Sequence, residues 1–343
     1  MKILIISNDF SKNGGIEFLS ELVYKAIYKH FIVQKFSKRC NNKLIRILKE
    51  ISIRRSLRGK NLIIFMHSFL YNRYKKYIPN KTKTIIWTHG IEVWGAWGKK
   101  KNPNLEYADK VIAVSSFTAE RVHENWPSAN VSIVNNAIEP FELSNDVEMK
   151  NEIVILSRID STEKYKGHEL VFESLSILKN SDTADIPVFH VIGQGDDRDR
   201  LEEVVKTLGI SDHVIFHGYV DDAELSHIFS RCFAFVMPSF VRINPNDIWG
   251  GEGFGLVYLE AGLHKLPVIA CNEGGQTDCV IDGETGFLVN PNPDEIAEKI
   301  ELLMNNPELA HKMGEAGYWH VKNNFLFDHF EKNVVNVIKE VFA

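Results

Sequence analysis

Two glutamates frame a glycine-rich turn. Residues 250–262 read Gly-Gly-Glu-Gly-Phe-Gly-Leu-Val-Tyr-Leu-Glu-Ala-Gly and set Glu252 and Glu260 eight positions apart. Gly251, Gly253 and Gly255 allow a sharp turn and close approach to a ligand, because no Cβ intervenes. The apolar run from Leu256 has the composition of a helix, whose first free amides point back at the turn. Such an end attracts an anion, most often a phosphate. With the helix starting near Gly255, Glu252 precedes it and Glu260 lies just over one turn inside. One carboxylate then addresses the far end of a ligand and the other the part nearer the helix. A loop and buried helix with two solvated glutamates is the competing reading, and the pattern alone leaves both open. His89 is a second candidate. It ends the run Thr84–Trp87 in Thr88-His89-Gly90, and the carboxyl ends of parallel strands are where open α/β sheets place ligands. A hydrogen-bonded loop histidine would read the same way.

The run EGFGLVYLEAGLHKLPVIA, followed by Gly274-Gly275 and DGETGFLV, resembles the signature of retaining GT-B glycosyltransferases, glycosyltransferase family four. The Glu-x7-Glu pair is that family's hallmark. The likeness is strong over 151–325 and looser before. It implies an α/β fold of two Rossmann-like parallel-sheet domains facing across a cleft. The amino-terminal domain (1–140) would hold the acceptor, 141–150 the linker, and 151–325 the nucleotide-sugar. Residues 326–343 would form a helix crossing back to the first domain.

The resemblance also implies roles. Arg158 and Lys166, the latter before Gly167, would clamp the donor diphosphate, since fixed cations stabilise the charge on a departing nucleotide. Here Ser157 stands where a glycine is common, the loop between Arg158 and Lys166 is long, and Lys164 competes for the role. Gly253, Phe254, Gly255 and Leu256 would line the diphosphate, and Glu260 would accept from the ribose hydroxyls. Glu252 would orient a donor-sugar hydroxyl. Gly218, Tyr219 and Val220 would lie under the base. Gly14 and Gly15 would face the cleft as donor-binding residues, in a loop able to approach the donor phosphate or the acceptor, and His89 would contact the reacting sugar. Glu92 and Trp94 would help line the acceptor. No metal or cofactor is implied; the donor would be a UDP-sugar or GDP-sugar. The expected activity is retaining, metal-independent hexosyl transfer to a glycan or lipid-linked acceptor, in bacterial surface polysaccharide synthesis (lipopolysaccharide, capsule or exopolysaccharide). A nucleotide-sugar epimerase of the same fold and a non-catalytic nucleotide-binding subunit are the alternatives.

The elements behind these residues follow a strand–helix rhythm. Lys2–Ser7 is a buried-strand run, followed by Asn13-Gly14-Gly15 and a helix pattern from about Ile16 to Lys29. The loop is not Gly-x-Gly-x-x-Gly, so a dinucleotide site is not expected there. Further strands are expected at Asn61–Met66, Thr84–Trp87, Val111–Ser115, Val131–Val134, Glu152–Leu156, Val188–Ile192, Val214–Phe216, Ala234–Met237 and Pro267–Ala270. Asp197-Arg198-Asp199 has a metal-ligand look but opens a helix, where the dipole favours acids. Residues 240–249 are an excursion that either shapes the sugar site or stays on the surface.

Composition sets the remaining bounds. Of 343 residues, 44 % are hydrophobic and 25 % charged, an ordinary globular balance. No apolar run reaches a membrane span of about 18 residues, and the start has no signal-peptide pattern. A cytoplasmic protein is expected, at the inner face of the cytoplasmic membrane if it touches lipid. The cysteines lack zinc or disulfide spacing. The net charge of −5 hides a split: residues 1–140 carry 24 Lys and Arg against 10 Asp and Glu. A basic half argues for an anionic partner; with no nucleic-acid motif present, a membrane or phosphate-bearing acceptor fits better than nucleic acid. Residues 35–60 hold ten Lys/Arg and one acid, with Leu44, Ile47, Leu48 and Ile51 at helical spacing. That is either a peripheral membrane helix or a domain helix with its apolar stripe on the core.

Overall fold

The computed structural model describes residues 1–10, 14–38, 43–140, 149–181 and 186–343, with the backbone alone at residues 43, 44 and 46. They form two compact units. The first comprises Met1–Ala137, Ile243–Trp249 and Phe327–Ala343; the second, Ile138–Arg242 and Gly250–Leu326. Most of the expected linker, 141–148, lies outside the described residues.

In the first unit the chain runs β1 (Lys2–Ser7), α1 (Gly15–Ile27), β2 (Ile32–Ser37), α2 (Lys43–Ser56), β3 (Leu62–Phe65), α3 (Ser68–Tyr74), β4 (Lys83–Thr88), α4 (Gly95–Lys101), β5 (Lys110–Ala113), α5 (Ser116–Asn125) and β6 (Val131–Ile133). The sheet order is β2-β1-β3-β4-β5-β6, all parallel. Continuous apolar strands make it so. Ile3–Ile6 and Leu62–Phe65 are wholly buried, and each such side chain contributes about 1.5–3 kcal/mol. A strand buried on both faces belongs inside the sheet. The order reverses between β1 and β3, which makes the loops after them the place for a ligand. Edge strand β2 mixes apolar and polar residues and has none buried, and the sequence pattern does not show it.

In the second unit the chain runs β7 (Glu152–Leu156), α6 (His168–Asn180), β8 (Val188–Ile192), α7 (Arg198–Thr207), β9 (Val214–Gly218), α8 (Asp222–Arg231) and β10 (Ala234–Val236). After the short strands β11 (Arg242–Ile243) and β12 (Trp249–Gly250), which bracket the first unit's 243–249, come α9 (Leu256–Leu263), β13 (Val268–Cys271), β14 (Gly286–Val289), α10 (Pro293–Asn305) and α11 (Pro307–Asn324); α12 (Phe327–Glu340) follows and belongs to the first unit. Its parallel sheet has the order β14-β13-β10-β7-β8-β9, and the reversal falls between β7 and β10. Helix α9 is apolar on every side but one and is buried; Gly262 packs against Val321 and Gly317 of α11. Glu260 is its sole charged residue.

Two segments leave the second half of the chain for the first unit. In α12, Phe330, Val334, Val337 and Ile338 are buried, the i, i+4, i+7, i+8 stripe of an amphipathic helix. Phe330 meets Trp87 at 6.5 Å between ring centroids, and Glu331 pairs with His30 at 2.7 Å. The other segment is 243–249, expected in the second domain. Asp247 draws it away by accepting from the Ala96 amide at 2.5 Å and the Trp249 indole at 2.8 Å. Trp249 then packs edge-on against Trp94, centroids 6.4 Å apart. Trp94 is accordingly a wholly buried core residue, and this corrects its expected place in an acceptor lining.

Helix α2 turns the opposite way from a core helix. Ile53 and Leu57 are buried, while Ile47, Leu48 and Ile51 are 51 %, 65 % and 42 % exposed. The stripe predicted from the sequence therefore faces solvent wherever its side chains are described, beside exposed Arg54, Arg55 and Arg58. Contiguous exposed apolar surface with a charged border marks an interaction face.

Candidate functional site

The second unit's reversal point gathers the residues that could grip an anion. From the end of β7 the chain enters Ser157–Gly167, and after β10 it enters Pro238–Gly255. Between these loops the Lys166 ammonium and the Glu252 carboxylate form an ion pair, their side chains 13 % and 12 % exposed. The two residues stand 86 positions apart in sequence. Lys166 is held by a 3-10 turn, Lys164–Lys166, that ends on Gly167 at φ +84°, a left-handed residue that favours glycine. Arg158 is more open, 72 % exposed, and reaches Glu163 at 2.5 Å. Ser157 bonds His168 at 3.0 Å. Burial, with the Lys166 charge behind it, drops His168 to about 4, so the imidazole is neutral at physiological pH.

The glycine turn is braced from beneath. The Gly275 amide donates to the Glu252 carbonyl at 2.7 Å, and a side chain at Gly275 would collide with the Gly253 carbonyl. Gly255 is the residue before α9 and has φ +98°. Tyr258 packs where its Cβ would stand and is tied down by its hydroxyl, which donates to the Met237 carbonyl at 2.9 Å. The amides of Gly255, Leu256 and Val257 have no partner among the described residues, which leaves the α9 terminus electropositive. Phe254 offers only backbone: its ring is buried against Phe325, centroids 5.9 Å apart.

Glu260 is half-buried, and its carboxylate has no hydrogen-bond partner among the described residues. Burial, helped by the charge of Asp222, pushes its carboxyl up to about 7. A partly desolvated, unpartnered carboxyl is an acceptor in want of donors. Tyr219 is 75 % exposed just beyond β9, and Val220 follows it. Gly218, at φ +74°, makes that turn and accepts from the Gly193 amide at 2.9 Å.

The remaining candidates belong to the first unit. Gly14 and Gly15 open α1, and the loop residues before them, 11–13, are not described. His89 sits past β4. Its amide donates to Glu92 Oε1 at 2.6 Å, and its Nε2 donates to the Met66 carbonyl at 2.7 Å. Glu92 is buried and positions the His89 backbone, which corrects its expected place in an acceptor lining. His67 was not singled out by sequence reasoning. It follows β3 at the reversal point and stands 6.0 Å from His89, ring to ring. The signal that would have found it is the strand order, which the sequence does not print.

A separate buried network occupies the second unit. Ligating atoms of Glu152, His190 and Cys232 lie within 4.8 Å of one another. Glu152 is taken up by Arg231 and by His190 at 3.1 Å, and His190 by His217 at 2.8 Å. Burial pushes the Cys232 thiol up. Glu152, His190 and His217 satisfy one another and the Cys232 thiol donates to the Ile228 carbonyl at 3.2 Å, as buried polar groups do.

The description "Glycosyl transferases group 1" matches residues 139–320. A GDP-mannose-dependent alpha-(1-6)-phosphatidylinositol monomannoside mannosyltransferase of Mycolicibacterium smegmatis is 29 % identical over 233 residues, 63 % of this chain and 58 % of that protein. The chain thus spans less than two thirds of that relative's length. Anabaena HepE, solved with UDP and glucose, superposes with a TM-score of 0.74 at 16 % identity, covering 99 % of both chains. A lipopolysaccharide outer core galactosyltransferase, WaaB, gives 0.74 at 20 % identity, with 99 % of both covered. These structural likenesses show the GT-B fold. With more than half of its residues matched, the chain belongs to the glycosyl transferases group 1 family.

Proposed function

We propose that the chain transfers a hexose from a UDP- or GDP-sugar to a glycan or lipid-linked acceptor, with retention of anomeric configuration and without a metal. The observation that carries this is the meeting of Lys166 with Glu252 at the β7/β10 reversal point, beside the open α9 amides and the unpartnered Glu260. In this reading the diphosphate takes the amides of Gly255 and Leu256, with Arg158 and Lys166 as counter-charges. The ribose hydroxyls donate to Glu260, a donor-sugar hydroxyl to Glu252, and the base lies by Tyr219 and Val220. His89 serves the transferred sugar. The bond between anomeric carbon and phosphate oxygen breaks. The acceptor oxygen bonds to that carbon on the same face, and its proton passes to the departing phosphate. Fixed cations and amides are worth most where that charge develops. The related mannosyltransferase is described as GDP-mannose-dependent and HepE is solved with UDP, so both nucleotides are tested.

Thermal melts with UDP, GDP, ADP and dTDP are expected to single out UDP or GDP, since a ligand bound only by the folded state raises its melting temperature. Donor-only incubation with the matching nucleotide-sugar is expected to release nucleotide slowly. An altered sugar still joined to its nucleotide would instead indicate an epimerase, and no reaction with any donor a non-catalytic subunit.

A bilayer is the natural setting for a lipid-linked acceptor, and the outward face of α2 suits one. Apolar side chains bordered by arginines bind anionic lipid by insertion plus about 1 kcal/mol per basic residue. No helix among the described residues is long and apolar enough to cross a membrane. Co-sedimentation with phosphatidylglycerol vesicles is expected to fall sharply for Ile47→Asp/Leu48→Asp. It should also weaken as salt rises towards about 1 M, where the Debye length is about 3 Å. Binding indifferent to both changes would remove α2 from the membrane contact.

A further inference from the structure

We propose that His67, Phe69 and Trp97 form a saccharide platform on the first unit that receives a pyranose ring of the acceptor. The proposal rests on the transferase reading and names the acceptor chemistry that reading leaves open.

His67 leaves β3 at the β1/β3 reversal and His89 leaves β4 beside it, the carboxyl edge where such sheets bind ligands. His89, His67, Phe69 and Trp97 run in a row, with successive centroids 6.0, 4.8 and 6.3 Å apart. Phe69 is 40 % exposed and Trp97 half-buried. Lys101 stands over Trp97, 5.7 Å from its centroid, and helps hold that ring. A row of accessible aromatic rings offers apolar surface to the C–H face of a sugar, and removing that surface from water is favourable.

The two imidazoles are polar in complementary ways. His67 caps α3: its Nδ1 accepts from the Phe69 amide at 3.2 Å. Burial holds its pKa below the usual histidine value. A neutral ring that accepts at Nδ1 carries its proton on Nε2, so His67 presents an N–H donor. His89 donates from Nε2 to the Met66 carbonyl, which in the neutral ring leaves Nδ1 as an acceptor. Neither His67 Nε2 nor His89 Nδ1 has a partner among the described residues. One donor and one acceptor beside apolar ring faces match a pyranose, whose hydroxyls both give and accept.

Saturation-transfer NMR with α-1,6-mannobiose and with maltose as probes tests this. Ring C–H protons of at least one disaccharide are expected to saturate on the wild-type protein. Phe69→Ala and Trp97→Ala should weaken the affinity at least about tenfold, near 1.4 kcal/mol, while Phe69→Tyr keeps it. His67→Asn retains a capping oxygen and should lose affinity all the same. Nucleotide-induced thermal stabilisation, read on the same samples, should persist in each variant and report an intact fold. Absence of saturation from both disaccharides on the wild type overturns the proposal, as does affinity unchanged in Phe69→Ala and Trp97→Ala. Failure of the transferase reading looks different: no nucleotide released from any donor, whatever the saccharide signal.

Discussion

Lys166→Ala is expected to lower the turnover number by roughly 10²–10³, the cost of removing one group aimed at developing charge. It should also destabilise the protein, because Glu252 loses its partner in a site only 12 % open to water. Breaking a fully buried pair costs about 3–5 kcal/mol; with slight exposure on both sides, about 2 kcal/mol is the expected size here. Lys166→Ala/Glu252→Ala leaves no stranded charge and should recover most of that stability while remaining inactive. Urea melts and steady-state kinetics on the two single variants and the double variant check this as a cycle. Strictly additive stability losses would mean the pair is not coupled. The same pair bears on binding. Before the donor arrives, cation and carboxylate neutralise each other. The diphosphate and a sugar hydroxyl must then divide a pre-formed contact, so neither residue waits in an extended, solvated state.

The second large effect is expected at Glu260 and is read by pH. Its carboxyl lies at about 7 in the folded chain against an ordinary 4.5. The folded state therefore holds a proton that the unfolded state has released. The stability this provides is complete below pH 4.5 and is lost as pH rises through 7, by at most about 3 kcal/mol at 1.36 kcal/mol per unit. Glu260→Gln, which needs no proton, should flatten that decline and be the more stable protein above neutrality. Nucleotide-sugar binding should move the opposite way. The ionised carboxylate is the stronger acceptor for ribose hydroxyls, so wild-type affinity should climb with pH and level off above 7. Glu260→Gln should show no such climb and bind roughly ten- to a hundredfold more weakly, as for hydrogen bonds to a charged group. An intact nucleotide-sugar has no phosphate ionisation near neutrality, so the slope belongs to the protein. Calorimetric titration from about pH 6 to about pH 8 spans the relevant ionisation. An affinity flat with pH in the wild type would separate Glu260 from the ribose.

Much of this was legible in the sequence because burial writes itself into strands. Ile3–Ile6 and Ile153–Ile155 are wholly apolar and wholly buried, so a run of that kind can be read without tertiary knowledge. Edge strand β2 could not be read this way. Ile-Val-Gln-Lys-Phe-Ser has no buried face, and its place is set by pairing with β1. The turn at Gly255 and the helix after it were readable from glycine and apolar composition. The partner of Lys166 was not, since ion pairing across 86 positions is a property of the folded chain. Amphipathicity in α2 was visible, but which way the apolar stripe points depends on what Ile53 and Leu57 bury against. Trp94 was misread for a related reason: an aromatic after a strand-end histidine looks like a ligand wall until Trp249 arrives from another stretch to cover it. His67 shows the same limit from the other side, because only the order of strands gives a lone histidine after β3 its meaning.

Neither unit is one continuous stretch of chain: the backbone changes unit at 137/138, 242/243, 249/250 and 326/327. During synthesis, residues 1–137 leave the ribosome before the second unit, yet α12, whose Phe330 packs on Trp87, leaves after it. The first unit is therefore begun before the second and completed after it, and chaperone demand should concentrate on it. Chimeras exchanging one unit with a relative need all four junctions, because a single crossover near residue 138 would strand both Trp249 and α12 on a foreign sheet.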